Sequence, residues 1–213
     1  MKSLLQNSIM HPADDYDLAG FAVGVVERHM MLPRTDITPG DILLGLSSSG
    51  LHSNGFSLVR KIISALGLSY SSPCPWQSET TLGRVLLEPT RIYVKQILPS
   101  AHAGLIKAMA HITGGGFVEN VPRILPHGLG CFIDVSAWDL PPVFQFLVKH
   151  GGVEPIEMAR TFNNGIGMVI IVGRLQLDQA LQMLREGGSA NVFQIGKITA
   201  GCGVEMRNLS SWK

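Results

Sequence analysis

The sequence predicts an α/β (α+β) domain in which a mixed β-sheet carries helices packed on one face. Three observations lead there. Strand-length apolar runs alternate with helix-length amphipathic ones, two glycine-punctuated polar loops join such runs, and 46% of the 213 residues are hydrophobic, enough for a full core. Leu18-Ala-Gly-Phe-Ala-Val-Gly-Val-Val26 reads as a buried strand, and Pro33 to Gly40, rich in Pro, Thr and Asp, as a linker with a boundary near residue 38. Thr38-Pro-Gly-Asp41 is a turn feeding a strand over Ile42 to Leu46, after which Gly55 opens a helix through Leu66. Residues 67 to 80 lack periodicity and read as loop, Thr90 to Leu98 as helix, and Ile106 to Ile112 as the strand entering a triple-glycine turn.

Phe117 to Leu125 holds either a short helix broken at Pro122 or a turn followed by a helix from Pro122. Downstream the pattern predicts a strand at Gly130 to Val135, a helix at Pro141 to His150, a short helix from Pro155 and a strand at Gly167 to Val172. Leu175 to Arg185 is the clearest amphipathic helix, with Leu177, Ala180, Leu181 and Leu184 three and four apart and Gly187-Gly188 ending it. Two strands, Val192 to Ile198 and Gly203 to Leu209, close the chain around a Gly201-Cys-Gly203 turn.

Composition excludes several classes of function. Seventeen Lys and Arg against sixteen Asp and Glu give a formal charge of +1, and no basic cluster offers nucleic acid a local footprint. No apolar run approaches the roughly 20 residues of a spanning helix, and the first ten residues lack the segment of a signal peptide, so no membrane partner and a cytoplasmic location are expected. Cys74, Cys131 and Cys202 have neither zinc-ligand spacing nor a disulfide framework, which fits a reducing compartment, and no metal site is visible.

The loops Ser47-Ser-Ser-Gly-Leu-His-Ser-Asn-Gly55 and His111-Ile-Thr-Gly-Gly-Gly116 carry the functional signal. Glycines permit positive φ and close backbone approach, and the first turn of a following helix offers N–H donors to an oxyanion. Two such loops point to a phosphate-bearing small molecule. His52 is the candidate side chain for proton transfer or phosphate donation, or else a brace for its loop. Ser49 and Gly50 begin the turn that Gly55 closes, and Ser53 and Asn54 either bind ligand oxygens or cap the next helix. His111, Thr113, Gly114, Gly115 and Gly116 lie where a strand ends and a helix begins, the usual ligand position in α/β sheets. Arg91, Asn120 and Arg123 are further ligand candidates, and Asn163-Asn164-Gly165-Ile-Gly167 is either a set of backbone donors or a helix C-terminal turn.

Several of these stretches occur together with Asp15-Tyr-Asp-Leu-Ala-Gly20, Pro39-Gly-Asp41, Pro89-Thr-Arg-Ile-Tyr93, Glu119-Asn-Val-Pro-Arg123 and Arg160-Thr-Phe-Asn163. In that order they resemble the motifs of phosphoribosylformylglycinamidine cyclo-ligase, also called aminoimidazole ribonucleotide synthetase, from about residue 15 to the end. The resemblance implies ATP-driven closure of formylglycinamidine ribonucleotide to aminoimidazole ribonucleotide in purine synthesis. The substrate is a small ribonucleotide, ATP the co-substrate and Mg²⁺ its companion. Formylglycinamidine synthetase and selenophosphate synthetase share the scaffold, but the Pro89–Tyr93 and Glu119–Arg123 motifs favour the cyclo-ligase.

A full-length enzyme of this type resembles two domains and forms a homodimer. Residues 38–213 are similar to its C-terminal domain. Residues 1–37 hold a divergent start, Met1 to Pro12, and a remnant strand, Asp17 to Glu27, of the ATP-binding, dimerising domain. ATP and Mg²⁺ are expected to need that first domain. The alternative to an enzyme half is a non-catalytic remnant that binds substrate or serves structure.

Overall fold

The sheet is ordered around one central strand. The computed structural model describes residues 20–188 and 190–212. Strand β1 (Ile42–Ser47) is apolar along both faces, as a strand covered from two sides must be, and is flanked by antiparallel β6 (Ile166–Val172) and β7 (Val192–Ala200). With β4 (Ile106–His111) beyond β6, and β5 (Leu129–Asp134) and β8 (Gly203–Arg207) beyond β7, the order is β4-β6-β1-β7-β5-β8. Strands β1, β4, β5 and β8 therefore run one way and β6 and β7 the other, since only the β5–β8 pair is parallel. The mixed α/β sheet expected from the sequence is present.

Alternation along the strands, offset in β4 by a register shift between Ile106 and Ala108, divides the core. Leu43, Ala108, Ala110, Val169, Ile171 and Ile195 face helices α1 (Phe56–Ala65), α4 (Gly116–Asn120), α5 (Pro142–Gly151) and α6 (Pro155–Thr161). Ile42, Leu44, Leu46, Ile106, Ile170 and Val172 face the other way, under α3 (Val94–His102) and α7 (Leu177–Glu186). The main helical layer thus lies on one face, and α3 and α7 add a smaller layer over the second. Gln96 ties that layer together from its buried position, donating to the carbonyls of Leu184 at 2.7 Å and Ala190 at 2.8 Å.

Three local expectations are corrected. Residues 20–27 form no strand, and residues 17–19 lie outside the described residues. Phe21, Val23 and Val25 are almost fully exposed, because an isolated strand without a ladder partner has nothing to bury against. Residues 67–80 hold a short hairpin, β2 (Pro73–Cys74) with β3 (Gln77–Thr81), followed by α2 (Leu82–Leu86), whose N-cap Thr81 accepts from the Arg84 N–H. The exposed, polar Gln77-Ser-Glu-Thr-Thr81 carries no alternation that betrays a strand. Finally, β7 and β8 are not a hairpin, since β5 lies between them. The Gly201-Cys-Gly203 link passes over the start of β5, where a Cβ on Gly130 would stand 2.9 Å from the Gly203 carbonyl oxygen.

Candidate functional site

The strand directions bring the two glycine loops to one edge of the sheet. The chain leaves β1 and β4 at the same side, with the first residues of β6 between them. Ser48 N–H donates to the Gly165 carbonyl at 2.8 Å and Ile112 N–H to that of Gly167 at 2.9 Å, so one segment holds both loop roots. A methyl built on Gly114 would lie 3.8 Å from Asn54 Oδ1, which measures how closely the loops face each other.

The first loop is braced by side chains. His52, buried at 4% exposure, receives at Nε2 the N–H groups of Ser49 at 3.0 Å and Arg91 at 3.3 Å. Ser49 Oγ lies 3.0 Å from the same nitrogen and donates to the Pro89 carbonyl at 2.7 Å. Asn54 Nδ2 reaches back to the His52 carbonyl at 2.7 Å, and Asn163 Nδ2 donates to that of Gly50 at 2.8 Å. His52 and Ser53 take φ of 52° and 60°, the left-handed region that side chains seldom occupy. Desolvation pushes the His52 pKa from 6.5 down to about 4, with the nearby His111 and Arg91 charges adding to it, so the imidazole is neutral at pH 7.

The second loop leans on one amide. Asn120, buried beneath the turn, donates from Nδ2 to the carbonyls of Gly116 at 2.8 Å and Gly114 at 3.2 Å, and Thr113 Oγ1 sits 3.4 Å from its Oδ1. Arg123 donates to the same Oδ1 at 3.3 Å and pairs with Glu119 at 3.7 Å, which orients Asn120 from below. His111 is exposed, yet one side of its ring meets His52 and Tyr93 at centroid distances of 6.0 and 6.4 Å, and this partial desolvation lowers its pKa.

The predicted residues divide by accessibility. Ser53, His111 and Gly114 are exposed, Ser49, Gly50, Asn54, Gly55, Thr113 and Gly115 are half-buried, and His52, Gly116 and Asn120 are buried. Neither α1 nor α4 has a side-chain cap, because glycine occupies each N-cap. Ser53 and Asn54 accordingly cap nothing; the Gly116 N–H donates to the Thr113 carbonyl, and the N–H groups of Phe56 and Ser57 in α1 and of Phe117 and Val118 in α4 have no backbone acceptor. Not every glycine serves that purpose. A Cβ on Gly55 would strike the Phe162 ring and one on Gly116 the Ala159 carbonyl oxygen, so helix packing dictates both.

Asn163-Asn164-Gly165 is structural. Asn163 Oδ1 accepts from Gly165 N–H at 2.8 Å, and Asn164 Nδ2 closes the end of α6 by donating to the Met158 and Phe162 carbonyls. Two residues named in the sequence only as parts of motifs, Tyr93 and Gly167, take places in the cluster that the sequence did not show. Tyr93 is buried and donates to the Ser47 carbonyl at 2.9 Å, and Gly167 leaves the room that the rings fill, since its Cβ would stand 2.5 Å from His52 Cε1. The position of Tyr93 at the end of the Pro89–Tyr93 motif is the signal that marks it.

Among the described residues no three His, Cys, Asp or Glu side chains come together to hold a cation. No described helix is long and apolar enough to cross a membrane.

The fold is a mixed-sheet α/β domain with two glycine loops facing each other at one edge of the sheet. Residues 38–207 match the family "AIR synthase related protein, C-terminal domain", and the chain belongs to that family. Its fold is shared with T. maritima PurL solved with AMPPCP, at 13% identity and TM-score 0.51, covering 87% of this chain and 26% of that one. Thiamine-monophosphate kinase from Stenotrophomonas maltophilia aligns at 17% identity and TM-score 0.58, covering 85% of this chain and 54% of that one. The E. coli hydrogenase maturation protein HypE gives 21% identity and TM-score 0.51, covering 83% and 49%. The chain thus spans between a quarter and about half of these solved structures.

Proposed function

We propose that this chain is the ribonucleotide-binding half of an ATP-dependent cyclo-ligase that converts formylglycinamidine ribonucleotide to aminoimidazole ribonucleotide. One observation carries the reading. Five separate cyclo-ligase-like motifs converge on one edge of the sheet: Ser48–Gly55 and Pro89–Tyr93 joined through His52 and Ser49, His111–Gly116 and Glu119–Arg123 joined through Asn120, and Arg160–Asn163 joined to the first loop through Asn163. In that reaction the amide-type oxygen is phosphorylated at the expense of ATP, and a nitrogen of the same molecule attacks the activated carbon, displacing phosphate. Holding the chain of reacting atoms in place supplies most of the acceleration.

In this reading the backbone N–H groups of Ser53, Gly55, Gly114 and Gly115 hold the substrate's oxyanions, while those of Asn54 and Gly116 donate to the Leu51 and Thr113 carbonyls and, with Ser49, Gly50 and Asn120, shape the loops. His111 and Thr113 face the substrate, and Asn54 spans the gap between the loops. ATP and Mg²⁺ enter from a partner domain, and the homodimer and cytoplasmic setting of the full-length enzyme belong to the same proposal.

Calorimetric titration of the 213-residue chain with formylglycinamidine ribonucleotide, and separately with magnesium-ATP, tests it. Saturable binding of the ribonucleotide alone is expected. A chain shown folded by circular dichroism that binds ATP and not the ribonucleotide overturns the assignment.

A further inference from the structure

We infer that His52 is a positioning residue, a latch that holds the Ser48–Gly55 loop against Pro89–Arg91, and that the substrate never exchanges a proton with it. The inference deepens the proposed function and rests on it only where the ribonucleotide is concerned.

Neither ring nitrogen is open to a ligand: Nε2 is engaged by the backbone and Nδ1 is buried. Nε2 has a single in-plane lone pair and faces two backbone donors, Ser49 N–H at 3.0 Å and Arg91 N–H at 3.3 Å. Protonating Nε2 would set a third N–H against those two and open the joint between segments about forty residues apart. The neutral ring must then carry its proton on Nδ1. That atom is buried and has no hydrogen-bond partner, and it sits beside Gly167, whose Cβ would stand 2.8 Å away. One nitrogen is thus filled by the backbone and the other sealed against β6. A group that transfers protons to a substrate needs one of them in reach.

The surroundings serve the same end. The left-handed backbone at His52 and Ser53 is a conformation that persists only where contacts impose it. The Nε2 joint, the Asn54 amide on the His52 carbonyl and the Ser49 hydroxyl on the Pro89 carbonyl impose it here. Their product is a fixed placement of the loop's outer residues, Ser53 and Asn54, opposite Gly114. His111, 6.0 Å from the His52 ring and exposed, is left as the imidazole of the cluster that a ligand can touch.

The test is imidazole ¹⁵N–¹H correlation spectroscopy of the full chain between about pH 5 and 8, the range in which an ordinary histidine titrates, alongside His52→Gln and His52→Ala. His52 is expected to show the neutral Nδ1–H form throughout. His52→Gln, whose Oε1 accepts where Nε2 did, is expected to keep the Ser49 and Arg91 amide shifts and to hold ribonucleotide affinity within about threefold. His52→Ala is expected to move both amides and to lose affinity about tenfold or more, equally at each pH, as the loop loses its hydrogen-bonded anchor.

An Nε2–H tautomer, a His52 titration inside that range, or a folded His52→Gln as deficient as His52→Ala would overturn the latch. If no variant binds ribonucleotide, the cyclo-ligase reading fails, and the tautomer and amide shifts still decide the role of His52.

Discussion

The two glycine loops reach the same edge of the sheet by different physical means. Ser48–Gly55 contains two glycines and is held rigid by a buried imidazole and two asparagine amides, with non-glycine residues forced into left-handed backbone. Thr113–Gly116 contains three glycines and hangs on Asn120. In the first, strain is imposed on side-chain-bearing residues and compensated by hydrogen bonds. In the second it is avoided by placing glycine at both positive-φ positions, Gly115 and Gly116. A glycine in such a loop has three distinct causes: room for a neighbour, a dihedral angle, or room for a ligand. The sharpest way to break the comparison is to add a single methyl and see which cause answers.

The largest effect is expected at Gly116. Its φ is 54° and its Cβ would collide with the Ala159 carbonyl oxygen, which belongs to helix backbone and cannot swing aside. Gly116→Ala is expected to destabilise the fold by about 4 kcal/mol, combining left-handed strain with an overpacked helix contact. Urea unfolding measures it. A loss below about 1 kcal/mol would show that α4 and α6 slide apart freely, and packing would no longer explain this glycine.

The next effect is a dependence of stability on pH, carried chiefly by the first loop. In the unfolded chain His52 titrates near 6.5, and in the folded chain its pKa is lowered to about 4. Between those values the unfolded state binds a proton that the native ring refuses, so stability is complete above pH 6.5 and falls as pH drops toward 4. The full difference is on the order of 3 kcal/mol. His111, also lowered by desolvation, acts in the same direction from the second loop. Denaturant midpoints from pH 7 to 4 should lose much of their slope in His52→Gln. A wild-type profile without such a slope would mean that the buried ring takes up its proton where an exposed one does.

How much of this was legible in the sequence follows from the range of the interactions. β1, β4 and β6 were readable because Ile42–Leu46, Ile106–Ile112 and Gly167–Val172 are strand-length, mainly apolar runs that lead into or out of turns. α7 was readable because its apolar positions lie on one stripe. The hairpin β2–β3 was not, since its exposed strand has no alternating pattern. The insertion of β5 between β7 and β8 was not, because a short Gly-containing link reads as a hairpin until Gly130 is seen beneath it. At the site, both loops were legible as glycine punctuation. The burial of His52 was invisible, because it depends on Arg91, Gly167 and Tyr93, brought in from distant parts of the chain. A sequence shows that a histidine sits in a loop, and only the assembled strands show which way its nitrogens face.

The smallest change to stability, and the most pointed test of the comparison, is Gly114→Ala. Its backbone is outside the left-handed region, and the added methyl would find Asn54 Oδ1 at an ordinary 3.8 Å as its nearest neighbour. The fold should therefore lose less than about 1 kcal/mol, within the usual cost of an exposed substitution. Neither packing nor dihedral angle requires glycine there, and the open side faces the Ser53–Asn54 turn across the cleft. If that space admits a phosphate oxygen to the backbone, the methyl occupies it, and ribonucleotide affinity should fall about tenfold while the denaturant midpoint barely moves. Titration of Gly114→Ala beside the wild-type chain measures both quantities. Unchanged affinity would remove the ligand-facing cause from the triple-glycine turn, leaving it a packing device like Gly55 and transferring the oxyanion contact to the His52-latched loop alone.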